Sequence, residues 1–242
     1  MRRHNDLKRR AWSKELLRRY LVVCEGEVTE TSYFSDIRIQ EKIPIQIKFI
    51  SGATPKTLVE RAVEAKRKSD RAAVKQRDED QVYDEIWVVF DIDTHPFVAE
   101  AKQQAKDNAI NVAVSNPCFE LWALLHFQDQ FAHVSADELR RLCRNHMPGY
   151  EKTLPCSELI PLYPKAHERA LSLQKLHKSR GTPGGNPSTG VFELVLSIRA
   201  QRQAWNQTAN VQAAGADDHE DFLPLVDGRR RAAPNRPSKT ST

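Results

Sequence analysis

The 242 residues hold no run of about eighteen consecutive apolar side chains, so no segment reads as a membrane span. The opening MRRHNDLKRR lacks the apolar stretch and small-residue cleavage site of a secretory leader. The expectation is a cytoplasmic protein with no membrane partner. Cysteine is sparse, and Cys24, Cys118, Cys143 and Cys156 form no CxxC pair. Two of them lie inside apolar runs, YLVVC and CFELWALL, where a reduced cysteine behaves as a small hydrophobe. His126, His133, Cys143 and His146 could supply four zinc ligands, but only Cys143 and His146 are closely spaced, and ordinary helix and core positions explain the same letters. Internal repeats are absent, as is an RNA-binding signature of stacking aromatics.

What is present is charge, unevenly placed. The net charge is +5. Residues 1–19 carry eight Lys/Arg against two acids, and residues 227–242 carry five against one. The body between them holds 24 basic and 29 acidic side chains. Basic ends on a mildly acidic body suit contact with nucleic-acid phosphate, although polybasic ends also serve solubility alone.

Tyr20–Cys24 is a continuous apolar run of strand length, the kind found in sheets covered on both faces. Thr29 then opens a helix to about Ile39. A strand at Ile43–Ile50 leads to Thr54-Pro55, a cap with proline at the first helical position, and a helix toward residue 75. A third strand, Glu85–Phe90, is followed by a helix over 96–108 and a fourth strand, Ile110–Val114. Asn116-Pro117 opens an apolar helix, CFELWALLHF, with Asn116 as its N-cap. This alternation predicts an α/β fold with a parallel four-stranded sheet flanked by helices. Beyond 127 only helices are expected: from the capping box Ser135-x-x-Glu138 to about Asn145, over 164–178, and over 190–204. The organisation read is therefore a basic segment 1–19, with a short helix possible over 7–19, an α/β core 20–127, a helical extension 128–204 packed on the core, and a disordered basic tail 205–242.

Chemistry in open α/β sheets sits beyond the carboxyl ends of the strands. The first strand delivers Glu25, followed by Gly26, which permits a close backbone approach. The third delivers Asp91 and Asp93, which lie on one side of an extended segment and can share a cation. Three acids at one edge repel unless a divalent ion neutralises them, and oxygen-only ligands suit Mg²⁺ or Mn²⁺.

VVCEGEVTE followed by VVFDIDTH resembles the Toprim pattern, a Glu-Gly after the first strand and a DxD after the third. EGEVTETSYF, SNPCFELWALLHF and the later NPST resemble the RloB-like branch of that superfamily, over about residues 20–200. The resemblance implies a Toprim-like fold and a Mg²⁺-dependent nuclease acting on DNA or tRNA. It also implies a role in bacterial anti-phage defence beside an AAA- or ABC-type ATPase, with a homo-oligomer possible. Asp91 and Asp93 would then ligate metal, and Glu25 would bind metal or act as general acid/base. Glu27 and Glu30 share the same turn and could sit just outside the ion, or Glu30 could complement the helix dipole. Glu120 interrupts an apolar block and must find a cation or donors, either at the metal edge or in an ion pair with an arginine or His126. Ser188 and Thr189 could touch phosphate or simply cap the final helix. Thr94-His95-Pro96 stands where Toprim sequences often have glycine, and His95 could contact phosphate or be an exposed loop residue.

Two other readings use the same letters. VVFDIDT also resembles the first motif of haloacid-dehalogenase-like phosphatases, with Asp91 as nucleophile, but the only later acidic pair is Asp217-Asp218 and Glu25-Gly26 goes unexplained. The third possibility is a non-catalytic Toprim-like scaffold that binds an ATPase and nucleic acid without cutting.

Overall fold

The computed structural model describes residues 17–77, 82–92, 95 and 97–217. Four parallel strands lie in the order β2 (Ile45–Phe49), β1 (Tyr20–Cys24), β3 (Glu85–Asp91), β4 (Asn111–Asn116). A fifth, β5 (Ser188–Thr189), pairs antiparallel with β4 and was not foreseen. Two residues carry no readable alternation, and the pairing partner lies more than seventy positions away. The helices are α1 (Thr29–Glu41), α2 (Pro55–Gln76), α3 (Val98–Asp107), α4 (Glu120–Leu125), α5 (Ala136–His146), α6 (Cys156–Leu159), α7 (Tyr163–Ser179) and α8 (Val191–Asp217), with a 3₁₀ turn at Ile160–Leu162. The α/β class with a C-terminal helical part is as expected. The strand and helix spans agree to within a few residues except at the end of α8, while α6 is an addition.

Strict alternation along the strands separates two cores. Leu21 and Val23 of β1, with Ile86, Val88 and Phe90 of β3, meet Leu58, Val59 and Ala62 of α2 and Ala101 and Ala105 of α3. Tyr20, Val22, Cys24, Trp87 and Val89 face the other way, onto α1, α4, α5, α7 and α8. Both faces of β1 are thus covered, which is why all five of its residues are apolar and buried.

Thr54 caps α2, its hydroxyl accepting from Thr57 N–H at 3.3 Å, with Pro55 first in the helix. Ser135 caps α5 through the Glu138 N–H at 3.2 Å, but the other half of the expected box is missing because the Glu138 carboxylate pairs with Arg141. The block after Pro117 is helical only over Glu120–Leu125. Its first residues form a turn instead, which aims the Phe119 N–H at the end of β3.

Residues up to Trp205 form one compact unit and those from Asn206 another. Helix α8 continues to Asp217, past the end at 204 read from sequence, so the expected tail begins with helix. Its Ala- and Gln-rich composition favours helix without any apolar stripe to announce it. Residues 17–19 are not helical, and the remainder of the helix considered over 7–19 lies outside the described residues, as does the tail from 218. Among the described residues no helix is long and apolar enough to cross a membrane.

His126 follows α4, its Nδ1–H donating to the Trp122 carbonyl at 2.9 Å while Nε2 is buried with no partner. Burial, opposed by that bond, lowers its pKa from 6.5 to about 4. The unfolded chain therefore binds the extra proton first. Stability from the neutral ring is complete above pH 6.5 and is lost as pH falls toward 4, by an amount on the order of 3 kcal/mol. Urea denaturation across that window is expected to show a steeper loss in the wild type than in His126→Gln. Parallel losses would refute this role for the imidazole.

Candidate metal-binding carboxylate edge

Strands β1 and β3 are parallel neighbours, so the residues that leave them meet at one edge of the sheet. Glu25 continues the ladder past β1, its N–H donating to the Val89 carbonyl at 3.1 Å. Its Oε2 accepts from the Asp91 N–H at 3.5 Å, a long contact, and its Oε1 lies 2.6 Å from His95 Nε2. The acids after the first and third strands are thereby brought together.

Asp91 ends β3 beside Ser115 of β4. It follows Trp87 and Val89 in alternation, which turns its side chain toward α1 and α4. There it receives the Phe119 N–H, yet its Oδ1 is buried with no hydrogen-bond partner. Burial holds its pKa well above the ordinary carboxylate range, and repulsion from Glu30, Glu120 and Glu25 adds to this. Glu30, in the first turn of α1, is 5% exposed. Its pKa rises from 4.5 to about 7 through burial and through the charges of Glu120 and Glu25, partly offset by backbone N–H bonds from its own residue and from Gly26. Glu120, the first residue of α4, is held by the Tyr150 hydroxyl at 3.2 Å and by Arg140 Nε at 3.4 Å. Four carboxylates thus converge, and among the described residues the ion pairs that reach them are that of Arg140 with Glu120 and the His95 contact of Glu25.

Residues 20–198 match the family model described as RloB-like protein. This chain belongs to the RloB-like family. No curated protein and no solved structure matches it. The matched span opens at the first residue of β1 and closes within α8, so it contains the whole sheet and every residue of the RloB-like edge named above.

A hard divalent cation suits this donor set. The groups on offer are carboxylate oxygens, one buried Asp91 oxygen has no hydrogen-bond partner, and burial, with repulsion among the carboxylates, raises the pKa of Asp91 and Glu30. Among the described residues no three His, Cys, Asp or Glu side chains already surround one point. Asp93 and Thr94 lie outside the described residues. The zinc combination is not assembled: His146 bonds Gln128 and stacks on Phe127, His126 bonds Trp122, and the Cys143 thiol points at the Glu120 carbonyl.

Other positions of the RloB-like chain depart from the sequence reading in part. Asn116 does not cap α4; it ends β4 and donates to the Gly184 carbonyl at 2.9 Å, because the turn at 117–119 separates it from the helix. Glu27 is exposed, unlike Glu30 and Glu120. Ser188 and Thr189 form β5, with Thr189 Oγ bonded to Ser115 Oγ at 3.1 Å and accepting the Val191 N–H at 3.3 Å. Thr189 thus does cap α8, while Ser188 pairs with Asn116. Glu120 takes an arginine as one reading allowed, Arg140, and not His126. Arg140 and Tyr150 were not singled out, and nothing local marks them. Each meets Glu120 only because α5 packs against α4 and the chain beyond α5 turns back toward it.

Glu30 is the acid that sequence undervalued. A helix-dipole role explained its letter, but burial shows a different placement. The available signal was Gly26: a Cβ there would stand 1.6 Å from Glu30 Oε2, so the glycine makes room for that carboxylate. Gly26→Ala is expected to lower the melting temperature strongly in the wild type and far less in a Glu30→Ala background. The double-mutant cycle should give a coupling of about 1 kcal/mol or more. Additive effects would show that Glu30 does not fill that space.

Proposed function

We propose that this chain is a Mg²⁺- or Mn²⁺-dependent phosphodiesterase of the Toprim type that cleaves DNA or tRNA. The buried, unpartnered Asp91 oxygen among Glu25, Glu30 and Glu120 carries the reading, because a site so short of positive charge is built to receive it. Asp91, Glu25 and Glu30 are the groups that would hold the ion, with Asp93 following in sequence. When bound, the ion supplies charge neutralisation at the scissile phosphate and makes a bound water more acidic. Glu25 and His95, in hydrogen-bond contact, can take a proton from water and return one to the leaving oxygen. Arg140 and Tyr150 fix Glu120 so that it cannot swing away from the edge. Family membership supports an effector role in anti-phage defence beside an AAA- or ABC-type ATPase.

A scaffold reading draws on the absence, among the described residues, of a ready three-ligand group. Incubating the protein with plasmid DNA or total tRNA in Mg²⁺ or Mn²⁺, with and without an ATPase encoded beside it, separates the two. Cleavage is expected, and Asp91→Asn should abolish it while the variant remains folded. Calorimetry should show divalent-ion binding lost in the same variant. If the wild type neither binds the ion nor cuts, the chain is a scaffold.

A further inference from the structure

On the far side of β4 from Asp91, a cleft of about 610 Å³ adjoins a second of about 360 Å³, and both are lined by Lys102, Val112 and Glu193. Together they make a groove from Ile92, the residue after Asp91, down to Ala109. Half-buried Val112 and Val114 give it an apolar floor. Lys102 and Lys106 stand on the α3 wall, and Lys178 stands on the opposite wall at the end of α7. The carboxylate present, Glu193, is engaged by the Gln174 amide at 2.7 Å. Among the described residues none of these three lysines has an ion-pair partner.

We propose that this groove binds the phosphodiester backbone of single-stranded nucleic acid and leads it to the carboxylate edge. Ammonium groups on two walls match a chain of phosphates, and the apolar floor suits unpaired bases or sugars, which a duplex would keep inside its stack. The Lys102 amine is half-buried, and that burial lowers its pKa, with no ion pair formed to Glu193 across the groove. A phosphate would supply that missing partner. The neighbouring wall is firm: His177 Nε2 donates to the Pro187 carbonyl at 2.9 Å, and Thr182 bonds its Nδ1, so the glycine-rich turn between them is held against α7. The destination of the strand rests on the phosphodiesterase reading, whereas the binding does not.

The test is fluorescence anisotropy of the full chain with labelled oligothymidylate and oligouridylate in EDTA, where cleavage cannot intervene. Lys102→Gln and Lys178→Gln should each weaken binding several-fold at unchanged melting temperature. The slope of log affinity against log salt should become shallower by about 0.7 per lysine removed. Lys102→Arg should restore affinity, and Lys75→Gln, outside the groove, should leave it unchanged. Wild-type affinity and slope in the Lys102→Gln/Lys178→Gln double variant would overturn the proposal, as would failure of the wild type to bind either probe. Groove-dependent binding in a protein that never cuts would retain the track and remove the phosphodiesterase reading. Cutting that needs Asp91 but ignores the lysines would do the reverse.

Discussion

Carboxyl groups are buried at the end of β3 with no cation fixed against Asp91 among the described residues, and much of the surrounding structure follows from accommodating them. Desolvating a carboxylate costs several kcal/mol in a folded protein, whereas one backbone N–H returns only about 1–3 kcal/mol. The Phe119 N–H therefore leaves Asp91 with an unmet demand. Gly26 makes the problem more acute by letting the Glu30 carboxylate approach closely. Arg140 and Tyr150 relieve Glu120 from outside the sheet. What remains uncompensated is concentrated on Asp91 and Glu30, whose pKa values burial raises.

Sequence made the positions of Glu25 and Asp91 legible because parallel strands with apolar residues on both faces leave little freedom in where their ends lie. The helix caps at Thr54 and Ser135 were legible for a similar reason, since each involves partners only three residues apart. The misreadings share a different origin. Asn116 and Ser188 both looked like cap residues by local chemistry, and their partners are set by the return of the chain after α7. The short extent of α4 was hidden by uniform hydrophobicity, which cannot distinguish a buried helix from the buried turn that precedes it.

The pleat of β3 gives two adjacent residues two different environments. Asp91 looks into the core shared with α1 and α4, while Ile92 looks past β4 toward α3. One peptide unit thus joins the acidic side of the sheet to a lysine-lined one. Opposite electrostatic surfaces can be separated by the thickness of a sheet and still meet where a strand ends.

The 182–187 turn is anchored at points belonging to three separate parts of the chain. His177 takes the Pro187 carbonyl, Asn116 takes the Gly184 carbonyl, and the Asn186 amide both donates to and accepts from the Val134 backbone. Such a turn behaves like a keystone cut to one size. Its spacing is more constrained than its composition, for adding or removing a single residue would break the fit with the strand, the helix and the loop at once.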